Sequence, residues 1–422
     1  MALLEEAQDI VAIELRIPYA GKAIHMRLLV DYYKLDETPG DVQSTLEQIR
    51  EIEPKNSRVI SLRDAEKALG FEVPRPKPKG LLERVLPVII RDVAIRAIKS
   101  TNRSSRALAL FYEFARRTNQ LQDMYFENLG SLIIDSYLKG YEELFGAQLI
   151  IRNSRVGNLI PLRSKQICLI DDDSISGPEL LFRRGYYDFK DFFRYRFGYA
   201  ALQLLSARNA SICVAPSKSV ADDMSTYGIK ARVIPHGINT DFYRPLDKQP
   251  LRAAYGFSRK TVACWVGSTH PIKGLDYVWR LARDFPEVTF VLAFEDDPHM
   301  SGRSNVVVTR ARGPNKLREL YNIADFYIST SIYESFGRRP MEAAACGTPL
   351  VSLRTGVLSD IETRELGHLV EEWNIAEYRK AIKMILLSRD DLNPRRTVER
   401  ELNLERWRIQ WRRLIRGIER KS

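Results

Sequence analysis

The stretch Ser331-Ile-Tyr-Glu-Ser-Phe-Gly-Arg-Arg-Pro-Met-Glu-Ala-Ala-Ala-Cys-Gly-Thr-Pro-Leu-Val351 reads as the centre of an α/β unit. The residues before it, Ala324 to Thr330, are apolar and β-prone, which predicts a short buried strand. A loop carrying Glu334 and Gly337 follows. Pro340 suits a first helical position, Glu342 then falls in the first turn, an Ala-rich run continues the helix, and Gly347 ends it. The free N–H groups at such a helix start favour an anion, and Gly337 lets backbone approach a ligand closely. Glu334 and Glu342 would not oppose a phosphate if they face sugars instead. A carboxylate can accept vicinal hydroxyls, each charge-assisted hydrogen bond contributing about 1.5–3 kcal/mol. The combination predicts a sugar-nucleotide site.

Taken in order, Ala324-Asp325, Glu334-Ser-Phe-Gly337, Glu342-Ala343 and Gly347-Thr-Pro-Leu-Val351 resemble the Glu-x7-Glu signature of the retaining, GT-B-fold glycosyltransferases of group 1, glycosyltransferase family 4. A Glu-x7-Glu spacing alone carries nothing, since glutamates are common. The ordered set is what separates it from a plain strand–loop–helix connection with a capping glutamate. The resemblance implies an α/β chain of the GT-B type: two Rossmann-like domains facing across a cleft. Residues 1–245 would form the acceptor side, 246–402 the nucleotide-sugar side, and 403–422 a helix returning to the first domain. It implies a retaining transfer of a sugar from a nucleoside diphosphate sugar, of UDP, GDP or ADP type, to a hydroxyl of a carbohydrate or lipid-linked acceptor. Glu334 would lie by the donor sugar, Glu342 would hold the ribose, and Phe336, Gly337 and Arg338 would line the donor. No cofactor beyond the donor and no metal is required, because cationic side chains and backbone dipoles can neutralise the leaving group.

Upstream, Thr261 to Val266 predicts the first strand of the second domain, with Gly267-Ser268-Thr-His270-Pro-Ile-Lys273-Gly274 as its exit loop. Glycines at both ends leave room for a phosphate, and Lys273 supplies a point charge. The family commonly has Gly-Arg-x4-Lys-Gly here, so the resemblance makes Lys273 the catalytic cation while Ser268 replaces the arginine. Arg338 and Arg339 are the candidates to compensate. A helix over 275–283, strands over 288–294 and 306–309, and Leu317 to Ala324 lead back to the central motif. Gly313 matches the stretch where the family cradles the base. Val233-Ile-Pro-His236-Gly237-Ile-Asn239 is similar to its turn at the cleft, and Asp360 or Glu362 stands for its later acidic residue. Trp407 and Trp411, four apart on a final helix, look like the family's last helix, which crosses back to the first domain.

The first half is less distinctive. Asp9 to Ile17 predicts a strand, Gly21 either a site loop or an ordinary turn, and 23–34 a helix. Ser57 to Leu62, Gln148 to Arg152 and Gln166 to Ile170 predict strands, and 107–145 is helical in pattern. Asp171, Asp172 and Asp173 could hold a metal, accept acceptor hydroxyls or form a solvated turn. The His-Asp pair that many family members carry near this point is absent. Leu81 to Ile98, with Arg84, Arg91 and Arg96, predicts an amphipathic cationic helix, either packed on its own domain or touching an anionic membrane. The aromatic run from Gly185 to Gln203 predicts a helix packed by its rings, with base stacking or a lipid interface as alternatives. Ser217 is placed to cap the helix after the next strand.

Composition agrees with a globular, two-domain chain: 422 residues, 45% hydrophobic and 28% charged. Net charge of +11 and a pI near 9.4 favour anionic partners such as nucleotides or phospholipid surfaces, with no motif for specific nucleic-acid binding. The basic excess gathers at 75–106 and 403–422. With no leader pattern and no spanning run, the expectation is a cytoplasmic protein, with peripheral contact to an anionic membrane as an alternative. Cys168, Cys213, Cys264 and Cys346 read as reduced core residues. Two other classes fit the same scaffold: a GT-B epimerase acting without acceptor, and a non-catalytic basic binding protein.

Overall fold

The computed structural model of the chain describes residues 27–30, 41–52, 57–60, 148–154, 162–170, 175–295, 304–311 and 313–419, with isolated positions between 64 and 158 and at 302. These residues build two parallel sheets. The first contains β1 (Arg27–Val30), β2 (Ser57–Ile60), β3 (Leu149–Asn153), β4 (Lys165–Leu169), β5 (Ile212–Ala215) and β6 (Ala231–Val233), in the order β2-β1-β3-β4-β5-β6. The second contains β7 (Thr261–Gly267), β8 (Val288–Phe294), β9 (Val306–Arg310), β10 (Phe326–Ser329), β11 (Leu350–Leu353) and β12 (Gly367–Val370), in the order β12-β11-β10-β7-β8-β9. Every residue of Val-Thr-Phe-Val-Leu-Ala-Phe in β8 is buried. A strand covered on both faces reads as such a continuous run, because helices lie above and below a parallel sheet.

The described helices are α1 (Asp41–Ile52), α2 (Ser176–Arg183), α3 (Phe189–Arg194), α4 (Ala200–Arg208), α5 (Lys218–Ser225) and α6 (Lys248–Ala254) in the first part of the chain. They continue with α7 (Leu275–Asp284), α8 (Gly313–Ile323), α9 (Arg338–Ala345), α10 (Ile375–Ser388), α11 (Pro394–Glu401) and α12 (Leu404–Glu419). Although α12 comes last, it packs on the first sheet. Its Trp407, Trp411, Leu414, Ile415 and Ile418 share one core with Leu29, Ile49, Ile151 and Ile167. The Ile238 N–H donates to Leu402 O at 2.8 Å, which draws the chain end back across.

Two readings are corrected. The helix expected over 23–34 gives way to β1, because a short apolar run has no decisive period and Arg27–Val30 pairs in register with β2 on one side and β3 on the other. The helix of the central motif starts at Arg338, two residues before Pro340. Proline is tolerated there because first-turn N–H groups have no intrahelical partner. The aromatic run is helical through α3, a π-turn (Tyr195–Tyr199) and α4, with Phe182 stacked on Phe192 at 4.5 Å and Tyr187 on Tyr195 at 5.3 Å. Asp9 to Ile17, Gly21, Leu81 to Ile98 and Asp171 to Asp173 lie outside the described residues. Among the described residues, no helix is long and apolar enough to cross a membrane.

In the second sheet β7, β8 and β9 run one way from the middle, while β10, β11 and β12 run the other. The reversal falls between β7 and β10. In an open parallel sheet such a reversal point, at the carboxyl ends of the strands, is where a ligand crevice lies.

Candidate functional site

The loops leaving β7 and β10 flank that crevice and are fastened to each other. The Ile332 N–H donates to Ile272 O at 2.8 Å, and Thr330 Oγ1 donates to Lys273 O at 2.9 Å. Between them Gly274 has φ of 61°, and a Cβ there would lie 2.1 Å from Thr330 O. Only glycine meets both demands. This fastening brings Lys273 Nζ to 2.7 Å from Glu334 Oε1, although 61 positions separate them in the chain. Both side chains are mostly shielded, at 26% and 18% exposure, so the pair is screened less than a surface one. The Glu334 N–H in turn donates to Thr355 Oγ1 at 3.2 Å, tying in the loop after β11.

Glu342 is the fifth residue of α9 rather than part of its first turn, and only 4% exposed. Its Oε2 accepts from Tyr321 Oη at 2.9 Å and from Arg339 Nη1 at 3.1 Å. A buried carboxylate needs such partners. Burial and the Glu342 charge push the Tyr321 hydroxyl well above its ordinary value, and the same two causes raise Tyr243. Both phenols therefore stay protonated and can donate. Arg339 also reaches Glu295 at the end of β8, with Nη2 2.6 Å from Oε1.

Gly337 precedes α9 with φ of 90°, the left-handed region that glycine enters without cost, and no atom lies closer than 3.8 Å to a Cβ built on it. Phe336 is buried in a core with Val262 and Cys264 of β7 and Tyr327 of β10, with its ring edge-on to His236 at 4.8 Å. It offers a ligand its backbone only. Arg338 is half-buried at the first position of α9. Ser268 is half-buried, and its Oγ accepts from the His270 N–H at 3.4 Å. Gly267 ends β7, where a Cβ would come 2.6 Å from the Trp265 ring. Gly313 opens α8 with φ of 77° and is exposed. Gly237 packs instead under α12, since a Cβ would lie 2.8 Å from Trp407 Cβ.

The first lobe meets this site directly. Ser217 Oγ donates to Ser335 O at 2.6 Å, and the Lys218 N–H at the start of α5 donates to Asp360 Oδ2 at 2.7 Å. Glu362 turns to its own loop, accepting from the Thr363 and Arg364 N–H groups. Tyr187 Oη lies 2.9 Å from His270 Nε2 and Tyr186 Oη donates to Asp276 at 3.0 Å. A cavity of about 440 Å³ opens beside the Glu334 loop, between Leu180 and Arg184 of the first lobe and Tyr333, Thr355, Glu372 and Trp373 of the second. Among the described residues no cluster of three or more metal-ligating side chains occurs.

Sequence reasoning missed Glu295, Tyr321 and Thr355. Each lies more than twenty positions from its partner and belongs to no motif, so nothing local marks it.

Residues 247–400 match the family described as glycosyl transferases group 1. The D-inositol 3-phosphate glycosyltransferase of Acidothermus cellulolyticus is 30% identical over 215 residues, covering 45% of this chain and 47% of that protein. The protein of the same name from Mycobacterium leprae (strain TN) is 30% identical over 176 residues, covering 37% and 40%. The matched stretch thus spans about half the length of these curated relatives or less. Among solved structures, sucrose-phosphate synthase from Thermosynechococcus elongatus superposes with a TM-score of 0.68 at 16% identity, covering 94% of this chain and all 100% of that one. Anabaena HepE in complex with UDP-glucose gives 0.59 at 15% identity over 93% and 100%. WaaG, a glycosyltransferase involved in lipopolysaccharide biosynthesis, gives 0.58 at 15% over 89% and 95%. With its two parallel sheets, its crevice and its returning helix, this chain has the GT-B fold and carries a glycosyltransferase group 1 domain over residues 247–400.

Proposed function

We propose that this chain is a retaining glycosyltransferase that moves a sugar from a nucleoside diphosphate sugar to a hydroxyl of a carbohydrate or lipid-linked acceptor. The observation that carries the reading is the Lys273–Glu334 pair at 2.7 Å, held by two fastened loops beside the reversal point of the second sheet. Breaking the bond between the sugar's anomeric carbon and the diphosphate leaves negative charge on the phosphate and positive charge on the sugar ring. Lys273 is the cation for the first, aided by the backbone N–H groups that open α9. Glu334 is the anion for the second and a hydrogen-bond acceptor for the ring's hydroxyls. Glu342, already oriented by Tyr321 and Arg339, holds the ribose. The acceptor hydroxyl attacks on the face the diphosphate leaves and passes its proton to a departing phosphate oxygen, so the anomeric configuration is kept. Gly267, Ser268, Gly337 and Arg338 line the diphosphate, and Gly313 the base.

Residues 1–245 and 246–402 serve as the acceptor and donor domains, with 403–422 joining the first. Lys248 supports that division, because its Nζ donates to Ala324 O at 2.7 Å in the second half. A cytoplasmic location with peripheral contact to anionic membrane belongs to the same reading, supported by the net charge of +11.

The test has two steps. Thermal unfolding is followed with UDP, GDP, ADP and their common sugars, and the donor that raises the midpoint is then incubated with acceptor mixtures. Nucleoside diphosphate release with retained anomeric configuration in the product is expected. Stabilisation by no nucleotide would overturn the reading, and conversion of the donor without acceptor would assign an epimerase instead.

A further inference from the structure

Arg339 joins two carboxylates of different character. Its Nη1 donates to Glu342 Oε2 at 3.1 Å, while Nε and Nη2 both reach Glu295 Oε1, at 2.8 and 2.6 Å. Glu342 is fixed, because its side chain is 5% exposed and Tyr321 holds it from the other side. The Glu295 side chain is 39% exposed, at the end of β8, where its N–H donates to Gly267 O at 2.9 Å. Returning Glu295 to water costs little, whereas releasing Glu342 would strand a buried charge. The guanidinium therefore spans from the start of α9 to the exits of β7 and β8. Its Nε–Nη2 edge, the one that binds planar oxyanions in a fork, is turned toward a carboxylate that can leave.

We propose that Glu295 is an internal competitor for the donor: it holds the Nε–Nη2 edge of Arg339 until the diphosphate of a nucleoside diphosphate takes its place. This rests on the nucleotide-sugar reading above and deepens it. Arg339 then replaces the cation that Ser268 does not supply, and Glu295 sets how tightly the leaving nucleotide is held. Weakened retention of the product is the functional gain, since a site with two uncontested cations would release a nucleoside diphosphate slowly.

The experiment is a two-residue cycle read by calorimetric titration with UDP, GDP and ADP on the full chain. Glu295→Gln keeps the shape and removes the charge, and is expected to tighten the nucleotide that binds by roughly three- to tenfold. Arg339→Gln is expected to weaken it by about tenfold or more. In the Arg339→Gln background, Glu295→Gln should then have no effect, because the competition needs the shared guanidinium. Arg339→Lys serves as the background where the Gln variant binds too weakly to titrate. Its ammonium lacks the fork, so the gain from Glu295→Gln should shrink. An unchanged affinity in Glu295→Gln, or a tightening that persists without Arg339, overturns the competitor role while leaving the donor reading intact. Absence of binding by any of the three nucleotides to the wild-type chain would overturn both.

Discussion

Glu342 shows how one residue can be set up for a ligand by partners distant in sequence. Tyr321 and Arg339 both bind its Oε2, so the orientation of the carboxylate is fixed before any hydroxyl arrives. Glu342→Gln should raise the Kd of the bound nucleoside diphosphate roughly tenfold, or ~1.4 kcal/mol, as measured by calorimetric titration. His270 gives a prediction with pH. Its imidazole is held below its ordinary value by burial and by the Lys273 charge. Its Nδ1 accepts from the Ile272 N–H at 3.3 Å, so Nε2 carries the proton toward Tyr187. Protonation would remove that acceptor. The unfolded chain takes up its proton near pH 6.5, the folded chain only at lower pH, so stability falls as pH drops below about 6.5. His368, also lowered by burial, adds a share in the same direction. His270→Gln should flatten part of the loss of thermal midpoint between about pH 7 and pH 5.

At the scale of elements, the second sheet apart from β12 was legible because its signals are local. The buried run of β8, the strand Phe326–Ser329 and the Gly347 stop each identify themselves within a few residues. β1 did not, since four residues fix no period and its neighbours in the sheet come from residues 57–60 and 149–152. The start of α9 was misplaced because Pro340 fits any position of a first turn. The Lys273–Glu334 pair was expected to be close on resemblance alone. What brings it to hydrogen-bonding distance is the fastening around Gly274, which no motif expresses. Gly274→Ala places a Cβ 2.1 Å from a carbonyl oxygen and should cost about 3 kcal/mol or more by chemical denaturation. Gly337→Ala meets no such contact, so its cost is set by φ alone and should be about 1–2 kcal/mol.

For the molecule as a whole, the site depends on both lobes. Ser217 and Lys218 of the first reach Ser335 and Asp360 of the second. The core under the first sheet is completed by α12, where Trp411 is 1% exposed. Trp411→Ala should lower stability by about 3–5 kcal/mol, with amide exchange accelerated most in β3 and β4.

That dependence on α12 sets an order of assembly. Chains emerge from the ribosome amino end first, so β1 to β6 are made and waiting while nearly two hundred further residues are added. Leu29, Ile151 and Ile167 stay without their aromatic cover until Trp407 and Trp411 appear, long after β6 has been made. The earlier lobe is therefore the later one to mature, and a nascent chain stalled short of residue 404 would present a sticky, half-roofed sheet to chaperones.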